Sequence, residues 1–413
     1  MSKKYLAAAA MLAVAPLVLS ACGGSSNSSS GGSGNGGTIQ IGTVHPLTGS
    51  NAGDGQQMEN GVKLAIETIN NAGGIKSMGG AKLGLAPGDT QGKPDIGQSE
   101  AQRLIQSGAK ALVGTYQSAV SANVAAVAER NKTPFVMDIT GDDTILEHGY
   151  KYSFRMQPKN SVFGASAAQY LHDVSAAANK PAKKVAYLHE STAFGTNVYK
   201  AFKVEAEKLG MTVDPEISYD AASVSNLTTQ MTQVKASGAD VLAITGYYKD
   251  GVLAAKAVST VKPNLNAVIG AADGAFDQPQ FPNDAGAAAQ GYFDTNYHID
   301  TKSADAKKFV DLYKSRYNDD PRTGAALAYD SVRVIADGLE HAGSSDGPKL
   351  RDAIAATKIQ PLTLSKGPVQ FSDTGENTSA LPILTQVQGP SPVVVFPADS
   401  AQAKPIYPAN PGQ

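Results

Sequence analysis

Between residues 38 and 270 the chain alternates short β-branched runs with longer stretches of helical period, and few folds accept that pattern. Ile39-Gln40-Ile41-Gly42-Thr43-Val44 is strand-like; after Pro46-Leu47-Thr48-Gly49, the residues Met58, Val62, Ala65, Ile66 and Ile69 recur at helical spacing and stop at Gly73-Gly74. The pattern continues with a strand near 81–88, a helix near 94–107, a strand at 110–114, a helix from Ser118 and a strand at 134–138. A second set follows Pro158: helix 161–177, strand 185–188, helix 195–209, strand 212–219, helix 226–237, strand 241–244, helix 250–260 and strand 267–270. Such alternation predicts parallel sheets covered by helices on both faces, and two sets predict two doubly wound α/β lobes. In sheets of this kind ligands sit beyond the carboxyl ends of the strands, so the loops after each strand are where function is expected.

Composition narrows the classes of function. At 413 residues and 42% hydrophobic content the chain buries a large core and is too long for one small domain. Its formal charge of −2 argues against nucleic-acid binding, which needs a basic face. With a single cysteine, Cys22, neither an intramolecular disulfide nor a multi-thiolate metal site can form. The six histidines stand far apart with no i, i+4 pair, so no metal is expected. No nucleophile elbow, phosphate loop, His-Glu-x-x-His or dinucleotide fingerprint is present; Ser259-x-x-Lys262 lacks an accompanying Lys-Thr-Gly. The chain is therefore expected to be neither an enzyme nor the carrier of a cofactor.

The N-terminus reads as an export signal. Ser2-Lys3-Lys4 gives a positive start, and the apolar stretch 6–19 is too short to span a bilayer. Leu19-Ser20-Ala21-Cys22 looks like a bacterial lipobox, in which the cysteine is lipidated and begins the mature protein; loss of Lys3 and Lys4 would then take the charge to −4. Residues 23–37 are almost pure glycine and serine, a flexible tether with a reach of about 20 Å. These features place the chain outside the cytoplasmic membrane, anchored by a lipid on Cys22.

Further segments carry a family likeness: Asn60-Gly61-Val62-Lys63-Leu64-Ala65, Ile69-Asn70-Asn71-Ala72-Gly73-Gly74-Ile75, Gly149-Tyr150-Lys151-Tyr152-Ser153-Phe154-Arg155, Ala193-Phe194-Gly195, and Gly367-Pro368-Val369-Gln370-Phe371 before Asp373-Thr374-Gly375. From about residue 38 to 395 the chain resembles the branched-chain amino-acid (Leu/Ile/Val) binding proteins of ABC importers. The resemblance implies a type I periplasmic-binding fold, two parallel-sheet lobes joined by a three-segment hinge with crossings near 158, 295 and 376. It divides the chain into a signal peptide (1–21), lipidated cysteine and tether (22–37), N-terminal lobe (38–157 plus 296–376), C-terminal lobe (158–295 plus 377–398) and tail (399–413). It implies a monomer that captures a small polar ligand, an amino acid or related amide or carboxylate, and hands it to a permease. A ligand sensor for a membrane receptor shares the fold; an exported hydrolase is the remaining alternative.

The likeness also marks ligand-facing positions. Ser118 stands where family members hold a carboxylate at a helix N-terminus, where free N–H groups and the helix dipole favour an anion; it is equally the position of an ordinary N-cap. The loop 138–143 matches a ligand-touching stretch, with Ile139 in it, Thr140 one residue early, and Gly141 where the family's threonine would be. Asp138, Asp142 and Asp143 crowd that loop, either as carboxylates for ligand donors or as solvated helix caps. Phe194 matches an aromatic wall, or else a core ring beside the turn glycine. Asp273, after a one-residue slip, matches the acid that pairs with an α-ammonium, and is also an Asp-Gly turn residue. Asp54 lies where a tyrosine touches ligand in some members, and reads first as a turn residue. Tyr116 and Tyr247 are added from their loop positions as further aromatic walls, one from each lobe.

Overall fold

The computed structural model describes residues 37–412; the signal-peptide segment 1–21, Cys22 and residues 23–36 of the glycine-serine tract lie outside the described residues. Five strands, β1 (Thr38–His45), β2 (Lys82–Asp89), β3 (Ala111–Gly114), β4 (Phe135–Met137) and β5 (Ser153–Arg155), form one parallel sheet in the order β2-β1-β3-β4-β5. The second sheet contains β6 (Lys184–Glu190), β7 (Thr212–Tyr219), β8 (Val241–Thr245), β9 (Ala267–Ala271), β10 (Phe293–Asn296), β11 (Ile383–Gln388) and β12 (Ser391–Phe396), ordered β12-β11-β10-β9-β8-β6-β7. Its central strands are apolar on both faces, as strands covered by helices on both sides must be: all five residues of β8 are buried. The expected parallel architecture holds from β7 to β10. Beyond it, β11 pairs antiparallel with β10 and β12 with β11, a hairpin that extends the sheet after the helical segment.

The helices after β10 return to the first lobe. Phe309, Tyr313, Val332 and Phe371 share one core with Ile41, Val62 and Val113. Helix Thr323–Ala342 packs on helix Ala52–Asn71 at close range, and Gly61 makes that possible: a Cβ there would lie 2.1 Å from the Ala325 carbonyl oxygen. In the second lobe, Leu384 and Val395 share a core with Val185 and Tyr187. Residues 399–412 are laid back over this lobe, with Ile406 N–H donating to Gln386 Oε1 at 2.8 Å and Ala409 N–H to the Asn266 carbonyl at 2.7 Å.

The chain passes between the lobes after β5, after β10 and before β11, and the crossings are tied together. Arg155 N–H donates to the Gly375 carbonyl at 2.8 Å, and Asn377 N–H to the Arg155 carbonyl at 3.2 Å. The buried Arg155 guanidinium donates to the Asp142 carbonyl at 2.6 Å, and its Nε lies 3.2 Å from Glu376. Among the described residues, no helix is long and apolar enough to cross a membrane.

Candidate functional site

Where the sheets face each other, the loops after β3, β4, β6, β8 and β9 enclose a narrow cavity lined by both lobes. The first lobe contributes Tyr116, Ser118, Ile139 and Gly141; the second contributes Phe194, Gly246, Tyr247 and Gly274. Gln157, Asn160, Phe163, Asn296 and Tyr297, on or beside the crossings, close its floor. Six of the expected site residues, Tyr116, Ser118, Ile139, Gly141, Phe194 and Tyr247, thus meet around one space.

The walls are aromatic. Tyr116 of the first lobe meets Tyr247 of the second at 5.4 Å between ring centroids, Tyr247 meets Phe194 at 5.5 Å, and Phe163 stands edge-on to Tyr297 at 6.0 Å. At one end, helix Ser118–Arg130 opens onto the cavity with Ser118 as its buried first residue and no acidic side chain in its first turn. The unpaired N–H groups of such an end attract a carboxylate. The helices opposite are already served by protein acids: Glu190 accepts from Gly195 N–H, and Asp250 from Tyr247 N–H.

Three expected residues face elsewhere. The Thr140 hydroxyl is bonded to Ser121, which also pairs with Thr115 at 2.6 Å, so this buried chain of hydroxyls binds two loops together and does not line the cavity. Asp273 is fully buried behind the wall, where its Oδ1 accepts from Ala275 N–H at 2.9 Å in the Asp-Gly turn. Burial, followed by the neighbouring acids Asp250 and Asp277, holds its carboxyl well above the ordinary carboxylate range. Asp54 lies in an adjoining chamber beyond Tyr116 and Tyr297, paired with the Arg322 guanidinium. Asp273 does not line the cavity, and its Oδ2 is buried without a hydrogen-bond partner in the protein.

The three loop aspartates are likewise occupied. Asp138 holds His45 at 2.8 Å, Asp142 accepts from Thr144 and from Asn197 of the other lobe, and Asp143 pairs with Lys159 at 3.1 Å. The cavity lining therefore contains no ionisable acid or base other than tyrosine. Among the described residues there is also no cluster of three His, Cys, Asp or Glu able to hold a metal. Sequence reasoning missed Gln157, Asn160, Asn296 and Tyr297, because it placed no strand at 153–155 or 293–296 and so did not follow the loops that leave β5 and β10.

Known proteins share this fold. Residues 38–390 match the family model described as periplasmic binding protein. The Leu/Ile/Val-binding protein homolog 3 of Brucella melitensis is 30% identical over 347 residues, 83% of this chain and 89% of the relative. Among solved structures, a branched-chain amino acid transporter substrate-binding protein of Streptococcus pneumoniae, in complex with isoleucine, superposes with a TM-score of 0.76 at 24% identity, covering 87% of this chain and all of the other. A solute-binding protein of an ABC transporter from R. palustris, in complex with benzoate, gives 0.74 at 20% identity, covering 87% and 95%.

Proposed function

The chain belongs to the periplasmic binding protein family, of the branched-chain amino-acid ABC-transporter type, and from that premise we propose that it is a lipid-anchored extracytoplasmic protein that closes its lobes on a small carboxylic acid and delivers it to an ABC importer. Its relatives are solute-binding proteins, not enzymes. The ligand bridges the lobes and shifts the population toward a closed form that the permease recognises. The anchor is the lipid on Cys22, and residues 23–37 are the tether.

The observation that carries the ligand class is an aromatic cavity with one uncapped helix N-terminus and no charged side chain. A carboxylate fits the end at Ser118, and flat or apolar bodies fit between Tyr116, Tyr247 and Phe194. An α-ammonium would be buried without a carboxylate partner, which is costly, because Asp273 is turned away. An aromatic carboxylic acid is thus favoured over an α-amino acid. Benzoate in the R. palustris neighbour supports this class; isoleucine in the S. pneumoniae neighbour, and the names of the Brucella relatives, support the amino-acid reading.

A dye-reported thermal melt of the full chain, which has no tryptophan, against aromatic acids, branched-chain amino acids, polyamines and polyols tests the class. A ligand at a hundred times its Kd adds about 2.7 kcal/mol, a rise of roughly a few degrees. A rise with leucine and none with aromatic acids returns the amino-acid reading; no rise with any compound removes the solute-binding reading. Cys22→Ser is expected to release the protein from the membrane fraction, and retention there would remove the anchor.

A further inference from the structure

Asn160, completely buried, lines the cavity with a side-chain amide whose two polar ends, Oδ1 and Nδ2, both lack a hydrogen-bond partner in the protein. A buried amide with both ends unpaired is costly and uncommon. Its position is nonetheless held from several directions. The Asn160 N–H donates to the Gly141 carbonyl at 2.6 Å, and the next residue, Ser161, donates its N–H to Asp143 at 3.0 Å.

The loop opposite is shaped around it. A Cβ at position 141 would lie 1.9 Å from Asn160 Oδ1, so glycine there is what leaves room for the amide. Gln157, with its carboxamide oxygen turned toward this loop, accepts from Thr140 N–H at 3.0 Å and Gly141 N–H at 3.1 Å, fixing the loop backbone. The result is a buried amide on a fixed backbone, offering a donor and an acceptor to whatever enters, beside the Phe163 ring.

We propose that Asn160, seated against Gly141, is a specificity-determining residue that reads a neutral substituent able both to donate and to accept, namely a ring hydroxyl of an aromatic carboxylic acid. A ketone leaves Nδ2 as the only match, an ammonium matches only Oδ1 and brings an uncompensated charge, and a bare ring matches neither. The inference rests on the aromatic-acid reading above and adds the substituent that completes the ligand.

The test is calorimetric titration of the full chain with benzoate, 3-hydroxybenzoate, 4-hydroxybenzoate and L-leucine, repeated on Asn160→Leu. One hydroxybenzoate is expected to bind at least about tenfold tighter than benzoate, the value of one well-made hydrogen bond in a dry site. In the variant that preference falls to within about threefold, whatever happens to the affinity the two acids share. The comparison within the unmodified protein stands even where the variant folds poorly. Benzoate binding as tightly as both hydroxybenzoates, or a preference that survives Asn160→Leu, overturns the role of Asn160 and leaves the aromatic-acid reading intact. Leucine binding alone overturns both but leaves a solute-binding protein, and binding of none of the four, with a melt panel equally silent, removes that as well.

Discussion

The contact between Arg322 and Tyr248 offers a measure of what holds the lobes together. Arg322 precedes helix Thr323–Ala342 of the first lobe and is paired with Asp54 of the same lobe; its guanidinium lies 3.6 Å from the centre of the Tyr248 ring, at the start of helix Tyr248–Val261 in the second. The side chains of Arg322 and Asp54 are only 15% and 12% exposed, so the cation is largely removed from water and the ring contact belongs in the upper part of the cation–π range, about 1–2 kcal/mol. Because it spans the lobes, that energy favours only the form in which they meet. Tyr248→Leu is then expected to lower the closing equilibrium by roughly 5- to 30-fold, and the apparent affinity for ligand by the same factor where the closed form is the minor one. Tyr248→Phe separates the ring from the hydroxyl, which donates to Asp284 at 2.6 Å within the second lobe. It is expected to lose little affinity. Titration calorimetry on both variants gives the comparison, with small-angle scattering reporting the unliganded dimensions. Equal losses in the two variants would refute the reasoning, since the hydroxyl rather than the ring would then carry the effect.

Other consequences are measurable. His45 is buried between Glu59 at 3.1 Å and Asp138 at 2.8 Å; burial opposes its charge, but the two carboxylates outweigh it and raise the imidazolium's pKa to about 9. A folded-state value above the unfolded one means this stability is complete below about pH 6.5 and is lost as pH rises through about 9, on the order of 3 kcal/mol in all. Urea unfolding at pH 7 and pH 9.5 should show the fall, and an equal stability at both would count against the triad. Gly61→Ala forces a methyl to 2.1 Å from the Ala325 oxygen and is expected to cost about 2–3 kcal/mol, read as a lower urea midpoint with unchanged slope. Ser118→Ala removes a donor from the carboxylate end of the cavity and should weaken binding of an aromatic acid by about tenfold with an unaltered melt of the free protein; unchanged affinity would move the carboxylate elsewhere.

The lobes were legible in the sequence because each core strand is short, apolar and followed by a helical period, a pattern that local packing alone enforces. Strand β7 occupies the expected 212–219, and β8 and β9 extend one residue past their expected ends. The hairpin β11–β12 and the helices after residue 300 were not read, since their place depends on which lobe the returning chain joins. Tyr116 and Tyr247 could be named because strand-end loops converge in any doubly wound sheet, and Ser118 and Phe194 because the family resemblance marks their positions. Whether a side chain on such a loop faces the ligand or the protein is a different matter. Asp273 and Asp142 are acids in the right loops, yet one is buried in its own turn and the other bonds across to Asn197. Asn160 carries no sequence signal at all. Chain alternation determined the two lobes and the place of the cleft; only the packing of loop against crossing decided that the cleft is uncharged and floored by an unpaired amide, because the direction of a side chain is set by neighbours far away in the sequence.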